Sequence, residues 1–341
     1  MATIKTRAVK LKFTGPLHMG AGKNDNYDHS GDLIRSDTIK SALYAACRNL
    51  FPEDFPDDFD LSFFKKFKVS SAFPYFGDEL FLPRPLSGIN VAFSDLAKNE
   101  DSKLSKRIKK IRFIATSIYE KIAAGQHLSF TEDYFDLSKQ ILFSRPSEKA
   151  PKILEKEIRQ RVYVPRPGET NQDSVPYFIE IIHFHPRAGL WFMLEVDDNA
   201  FFNKLEAGLR ILGDSGFGTD KSVGNGQFQQ SISEISLNVP DKPEGKMLIS
   251  LFCPPQEAIQ TEYLKKSAFL TEKRSGYIVS AQNIRFRHFR RKSIYMFAEG
   301  SIFPASMPDV GKVVDLKPET LEQMHPVWRD GTAIFLPFNN L

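Results

Sequence analysis

Residues 213–228, GDSGFGTDKSVGNGQF, place five glycines in sixteen positions, with Lys221 and Ser222 between them. Glycine lacks the Cβ that keeps a backbone at a distance, so successive amide N–H groups can face an anion. A lysine in such a loop adds a point charge, and the chemistry on offer is phosphate binding. Two familiar phosphate loops do not match. A P-loop needs Lys-Ser/Thr directly after its second glycine, and Thr219-Asp220 stand there. A dinucleotide fingerprint needs a third glycine where Lys221 stands. Two readings stay open. The loop either wraps a nucleic-acid backbone or makes a tight helix-to-strand turn whose glycines supply positive φ. In the first, Gly218→Val lowers RNA affinity in a folded protein. In the second it destabilises the fold, and Lys221→Ala changes nothing.

RNA held by its backbone needs amide donors, cations and flat groups on which bases stack. In the loop, Gly216, Gly218, Lys221 and Ser222 can supply the first two. Phe217 can stack on a base or pack in a core. Arg35 and Ser36 precede an amphipathic helix whose first N–H groups can meet a phosphate, and Ser36 or Asp37 can equally serve as a plain N-cap. His18, in GPLHMG, can hydrogen-bond or stack on a nucleotide. Arg84 is held extended between prolines, Arg161 and Arg166 flank a polar tip, and Arg285 and Arg287 lie in RFRHFRRK. The lysines and arginine of 103–110 form a solvated helix face. His183 and His185 share a strand face but have no third ligand nearby, so they do not make a metal site. No acid–base cluster, metal set or cofactor motif stands out.

Elements must bring these residues together. TIKTRAVKLKF alternates as a half-buried strand. SDTIKSALYAACRNLF is a helix with Ile39, Leu43, Ala46, Cys47 and Leu50 on one stripe. FKKFKVSSAFPYF and ELFLPRPL are strands joined at Gly77-Asp78. Leu104, Ile108, Ile111, Ala115, Ile118 and Ile122 predict one helix over 102–124, ended by Gly125. VPYFIEIIHF and GLWFMLEV are strands about a Pro-Arg-Ala-Gly turn. DDNAFFNKLEAGLRILG is a helix with Phe202, Leu205, Leu209 and Leu212 inward. The glycine loop follows and leads into the strand QFQQSISEISL. Further strands fall in KMLISLFCP, in 276–303 and in GTAIFLPF. The order predicts an α+β chain of two ferredoxin-like (RRM-like) domains, over 1–186 and 187–341, the second carrying the glycine loop.

The chain has 341 residues, consistent with about two domains; its 41% hydrophobic content and 30 phenylalanines are enough for real cores. A net charge of +4 permits a nucleic-acid partner without demanding one. Cys47 and Cys253 are the only cysteines and suit a reducing compartment. The N-terminal lysines and arginine do not suit a secretory signal, and no run reaches the roughly 18 apolar residues of a membrane span. A cytoplasmic protein, not a membrane one, is expected.

The glycine loop resembles the signature loop of the RAMP superfamily, the ferredoxin-like subunits of CRISPR effector complexes. LKFTGPLHMGAG resembles a RAMP first strand and IRSDTIKSALYAA the start of its first helix. SSAFPYFGDELFLPRPL, VPYFIEIIHF, KRSGYIV with RRKSIYMFAEGSIF, and HPVWRDGTAIFLPF resemble the fourth-subunit family of the type III-A (Csm) complex. That resemblance implies a non-catalytic subunit that holds the 5′ repeat-derived handle of crRNA. Its implied partners are the large cyclase-like subunit and the backbone RAMP subunit. It also implies a β-hairpin thumb, for which RQRVYVPRPGETNQDSVPYF is the candidate. Two rivals come from other classes. A metal-independent RAMP endoribonuclease needs a base near a 2′-OH, for which only His18 with Lys221 can be nominated. A purely protein-binding adaptor leaves the glycine loop without a ligand.

Overall fold

The computed structural model describes residues 1–20, 29–55, 61–93, 101–147, 149–164, 175–278, 286, 289–321 and 324–339. The first half runs β1 (Ala2–Phe13), α1 (Ser36–Leu50), α2 (Ser62–Lys65), β2 (Lys68–Val69), β3 (Phe73–Phe76) and β4 (Glu79–Pro83). Next come β5 (Val91–Phe93), α3 (Asp101–Lys110), β6 (Phe113–Ala115), α4 (Thr116–Ala123), β7 (Leu128–Phe130) and β8 (Ile141–Leu142). A two-stranded ribbon follows, β9 (Leu154–Tyr163) with β10 (Val175–Phe184), then β11 (Ala188–Glu195), α5 (Asn199–Ser215) and β12 (Phe228–Val239). The C-terminal part holds β13 (Gly245–Leu248), α6 (Thr261–Lys265), β14 (Thr271–Arg274) and β15 (Ile294–Phe297). It closes with β16 (Ile302–Pro304), β17 (Val313–Asp315), β18 (Trp328–Asp330) and β19 (Phe335–Phe338).

The main sheet runs β12-β1-β11-β3-β4-β6-β8, with β2 also on β11. β1 pairs antiparallel with β12 along its whole length and with β11 over Arg7–Leu11. The period of two then sorts the side chains. Val9, Leu11, Leu190, Phe192 and Leu194 face α1 and α5, where Ile39, Leu43, Leu205, Leu209 and Leu212 complete a buried layer. Gly208 permits the close approach of those helices, since a Cβ there would lie 2.9 Å from Cys47 Sγ. Ala8, Trp191 and Met193 face the other way, onto Ile118, Tyr119 and Ile122 of α4 and onto Met247, Leu336 and Phe338 of the C-terminal strands. Each such large side chain contributes about 1.5–3 kcal/mol when fully buried.

The sequence predicts most of the longer elements, misses short ones such as α2, β5, β7 and β8, and is overturned at one place. The expected helix over 102–124 is divided into α3, β6 and α4. Phe113, Ile114 and Ala115 are all buried, and β6 pairs with β4 on one side and β8 on the other. A segment covered on both faces reads apolar whatever its period, so sheet pairing overrides the helical spacing. Gly125 does end α4, with φ +79° and its N–H on Ile122 O. At α1 the N-cap position is Arg35, without a side-chain cap. Ser36 and Asp37 are the first two residues of the helix itself, so neither caps it. α5 is capped by Asp198, whose carboxylate accepts from the amides of Ala200 and Phe201.

β11 and β12 complete the sheet begun by β1, so one sheet draws on both sides of residues 186 and 187. The glycine loop belongs to this sheet as the link from α5 to β12. Beyond β12 lie the three-stranded sheet β16-β13-β19 and the pairs β14-β15 and β17-β18. No helix among the described residues is long and apolar enough to cross a membrane.

Candidate nucleic-acid interface

The loop between α5 and β12 closes on itself and on the segment after β1. Gly216 ends α5 with φ +80°, its N–H on Leu212 O at 2.7 Å. Phe217 N–H donates to Gly226 O at 3.0 Å, and Gly226 N–H donates to Pro16 O at 2.8 Å. Thr219 N–H donates to His18 O at 3.1 Å. A Cβ on Gly226 would overlap Phe217 O, and one on Gly218, at φ +83°, would overlap His18 O. The glycines therefore serve these chain crossings. Many of the loop's N–H groups that the sequence offers to a ligand are committed to the protein's own carbonyls.

The crossing pushes out a short arc. Asp220 adopts the left-handed conformation at φ +57° and starts a single 3-10 turn over Lys221–Val223, ended by Gly224. Lys221 and Ser222 on this turn are exposed. Amides in a first helical turn have no intrahelical partner, so this arc, rather than the glycines, offers donors and a cation to solvent. Phe217 goes the other way. It is 2% exposed and stacked on Phe228 with ring centroids 5.4 Å apart, so it belongs to the core and does not stack on a base.

The ribbon stands beside this arc. Leu17 bridges Ile182 of β10 through paired backbone hydrogen bonds. His18 is buried beneath, its Nδ1 2.6 Å from Glu180 O. Arg161 of β9 reaches Asp220 with Nη1 to Oδ2 at 2.6 Å. Lys156 of β9 donates to Glu180 at 2.8 Å and to Ser30 O at 3.1 Å. Salt pairing with Lys156, together with the Ser30 amide, holds the Glu180 carboxyl below its usual range against the effect of burial. On the same face of the ribbon as Gln160, Ile158, Val162 and Phe178 are exposed, Phe178 at 54%.

This loop joins α5 to β12 over the end of the first strand, and residues 10–229, which span it, match the family model of the RAMP superfamily. The chain belongs to the RAMP superfamily. Residues 241–338 match the CRISPR Csm4 C-terminal domain, so most of β12 lies between the end of the first match and the start of the second. Csm4 of Thermococcus onnurineus is 25% identical over 241 residues, covering 70% of this chain and 76% of that protein. Csm4 of Methanocaldococcus jannaschii is 24% identical, covering 98% of both. Among solved structures, the Csm3-Csm4 subcomplex of the type III-A interference complex matches with TM-score 0.63 at 21% identity. It covers 98% of this chain and 100% of that one. A Csm1-Csm4 cassette in complex with cA4 matches with TM-score 0.61 at 21% identity, covering 99% of each chain. At these identities the structures establish a shared fold.

The RAMP loop gathers His18, Arg161, Gly216, Gly218, Lys221 and Ser222 in one region, but not the other expected residues. Arg35 pairs with Glu299 and, at 3.7 Å, with Glu272; burial opposes its charge, yet these carboxylates raise its pKa. Ser36 is buried, its N–H on Ser71 Oγ and its own Oγ accepting from Leu251 N–H, each at 2.9 Å. The first amide of the helix is thus met by protein where a phosphate is expected. Arg84 donates to Ile111 O at 3.0 Å and Pro85 O at 2.8 Å, and burial lowers its pKa. Arg166, Arg285 and Arg287 lie outside the described residues. His183 pairs with Glu157 and His185 packs on Phe76; no metal-holding group occurs among the described residues.

Lys156 and Asp220 are the residues that sequence inspection misses. Asp220 has a signal, since Asp tolerates the left-handed region better than most residues and stands inside a glycine loop. Lys156 has none: it reads as one more polar residue of an alternating strand, and only the ribbon's register brings it to Glu180.

Proposed function

We propose that this RAMP chain is a non-catalytic RNA-binding subunit of a type III-A CRISPR ribonucleoprotein that holds the 5′ handle of crRNA. The observation that carries this is the meeting of the glycine loop, the segment after β1 and the β9-β10 ribbon, where Arg161 reaches Asp220, the neighbour of exposed Lys221, and Lys156 stands on the ribbon's other face. An exposed lysine on the loop and an exposed aromatic ring on the ribbon suit a single strand held by its phosphates with bases stacked against it. We read the ribbon as the thumb, with Phe178, Ile158 and Val162 as its base-facing side. The names of the relatives support partners for this chain of the Csm1 and Csm3 kinds, a large cyclase-like subunit and a backbone RAMP subunit. We also read it as soluble and cytoplasmic.

The order β12-β1-β11-β3, with α1 and α5 on one face, is the 4-1-3-2 arrangement of a split βαβ unit. We therefore read the first unit as ferredoxin-like and place the division after β12, close to where the second family match begins. The same reading of the second unit rests on β16-β13-β19. The endonuclease alternative has less support. His18, its only candidate base, is 1% exposed, with Nδ1 already on a carbonyl.

Lys221→Ala tests the proposal. It should leave the circular dichroism spectrum and melting transition unchanged, because Lys221 is exposed. It should weaken binding to handle RNA of any sequence and reduce the slope of log K against log salt by roughly 0.7. Unchanged affinity and slope in the folded variant would overturn the assignment of this loop.

A further inference from the structure

Three arginines converge on one carboxylate where α1 meets the C-terminal strands. Asp37 is fully buried and takes Arg274 in a two-point grip, Nε on one oxygen and Nη2 on the other, each at 3.0 Å. Arg329 Nη1 lies 3.6 Å from the same carboxylate. Arg291 donates through Nη2 to Ser275 O and is close enough to Asp37, Arg274 and Arg329 to feel their charges. The other carboxylates of this junction are engaged elsewhere: Glu299 and Glu272 with Arg35, and Asp330 with Lys40. One carboxylate against three guanidiniums leaves two positive charges in a largely buried place.

Two further observations point to an anion as the ligand of this cluster. Arg291 Nε and Arg329 Nε are buried without a hydrogen-bond partner among the described residues, and a guanidinium N–H can only donate. Residues 273–298 carry seven lysines and arginines and no aspartate or glutamate, so that segment supplies no counter-charge. Burial, with repulsion from Arg329 and Arg274, pushes Arg291 down to about 9, as expected of a cation short of its partner.

We propose that Arg274, Arg291 and Arg329 form a phosphate-binding site at this junction, separate from the glycine loop, with Asp37 holding two of the three in place. Planar guanidinium forks match phosphate oxygens in paired hydrogen bonds, and a phosphate brings the one or two negative charges the cluster lacks. The phosphate can belong to an RNA strand or be free in solution. The site does not depend on the loop's role.

Thermal unfolding of the full chain in inorganic phosphate, against chloride at equal ionic strength, tests it. Phosphate should raise the midpoint saturably. Arg291→Gln should weaken the apparent affinity about tenfold, the effect of losing one charge-assisted contact. Arg291→Lys, which keeps the charge without the fork, should fall between and serves if the glutamine variant does not fold. Lys221→Ala should leave the phosphate effect intact, so the two sites fail separately. Short RNAs with a 5′-hydroxyl or a 5′-phosphate distinguish the sources. Weaker binding of both by Arg291→Gln assigns an internal diester, of the second alone a terminal phosphate, and of neither a free phosphate. No stabilisation beyond chloride, or equal stabilisation of wild type and Arg291→Gln, overturns the site.

Discussion

A valine at Gly218 would have to share space with the carbonyl oxygen of His18, in a backbone at φ +83° where a β-branched residue is an outlier. The left-handed conformation alone costs about 1–3 kcal/mol for a non-glycine residue, and the overlap with backbone adds to it. Gly218→Val is therefore expected to lower the denaturant midpoint, with any loss of RNA affinity following from the fold. An unchanged midpoint would mean that the loop relaxes without cost. Lys221 is different, because it stands on the exposed arc and its removal disturbs no crossing. The two readings of the glycines thus divide by residue: the glycines serve the turn, and only the charge between them is left for the proposed ligand. Sequence could not separate these roles, since both require glycines at the same spacing.

Between elements, the contact that matters is the one from ribbon to loop. Arg161 of β9 is held by Asp220, 2.6 Å away, with each side chain about 30% exposed (27% and 30%). That pairing neutralises one of the cations of the proposed RNA site. Asp220→Asn keeps the side-chain shape, and Asn adopts the left-handed region readily. It should preserve the melting transition, tighten RNA binding a few-fold and steepen the salt slope by up to about 0.7 as Arg161 is released. Weaker binding would show that the carboxylate positions Arg161 for its contact. The ribbon's strands are legible in the sequence, because RVYV and VPYF bound a polar tip. Its partners are not: VPYFIEIIHF and GLWFMLEV look like a hairpin, yet β10 pairs with β9 and β11 with β1. β6 is illegible for a related reason, since burial on both faces erases the period that distinguishes strand from helix.

At the scale of the whole molecule, the order of elements revealed an α+β chain but not where its parts join. The sheet closes only with β12, and that pairing joins residues more than two hundred positions apart, such as Ala2 with Val239, which no local pattern encodes. The junction between α1 and the C-terminal strands was hidden likewise, because Asp37 reads as a capping residue until Arg274 and Arg329 arrive from the far end of the chain. Burial raises the pKa of Asp37, but the two arginines outweigh it and hold the carboxyl at about 2. A depressed carboxyl stabilises the folded state fully above its unfolded pKa near 4 and loses that contribution as the pH falls through its folded value. The shift corresponds to about 2 kcal/mol. Asp37→Asn should thus be clearly less stable than wild type at pH 5, measured by denaturant unfolding in buffers free of phosphate. The gap between the two proteins should narrow by about 2 kcal/mol between roughly pH 4 and pH 2, because only wild type loses the charged pairing there. A gap that stays constant over that range would mean that Asp37 does not hold the two parts together through its charge.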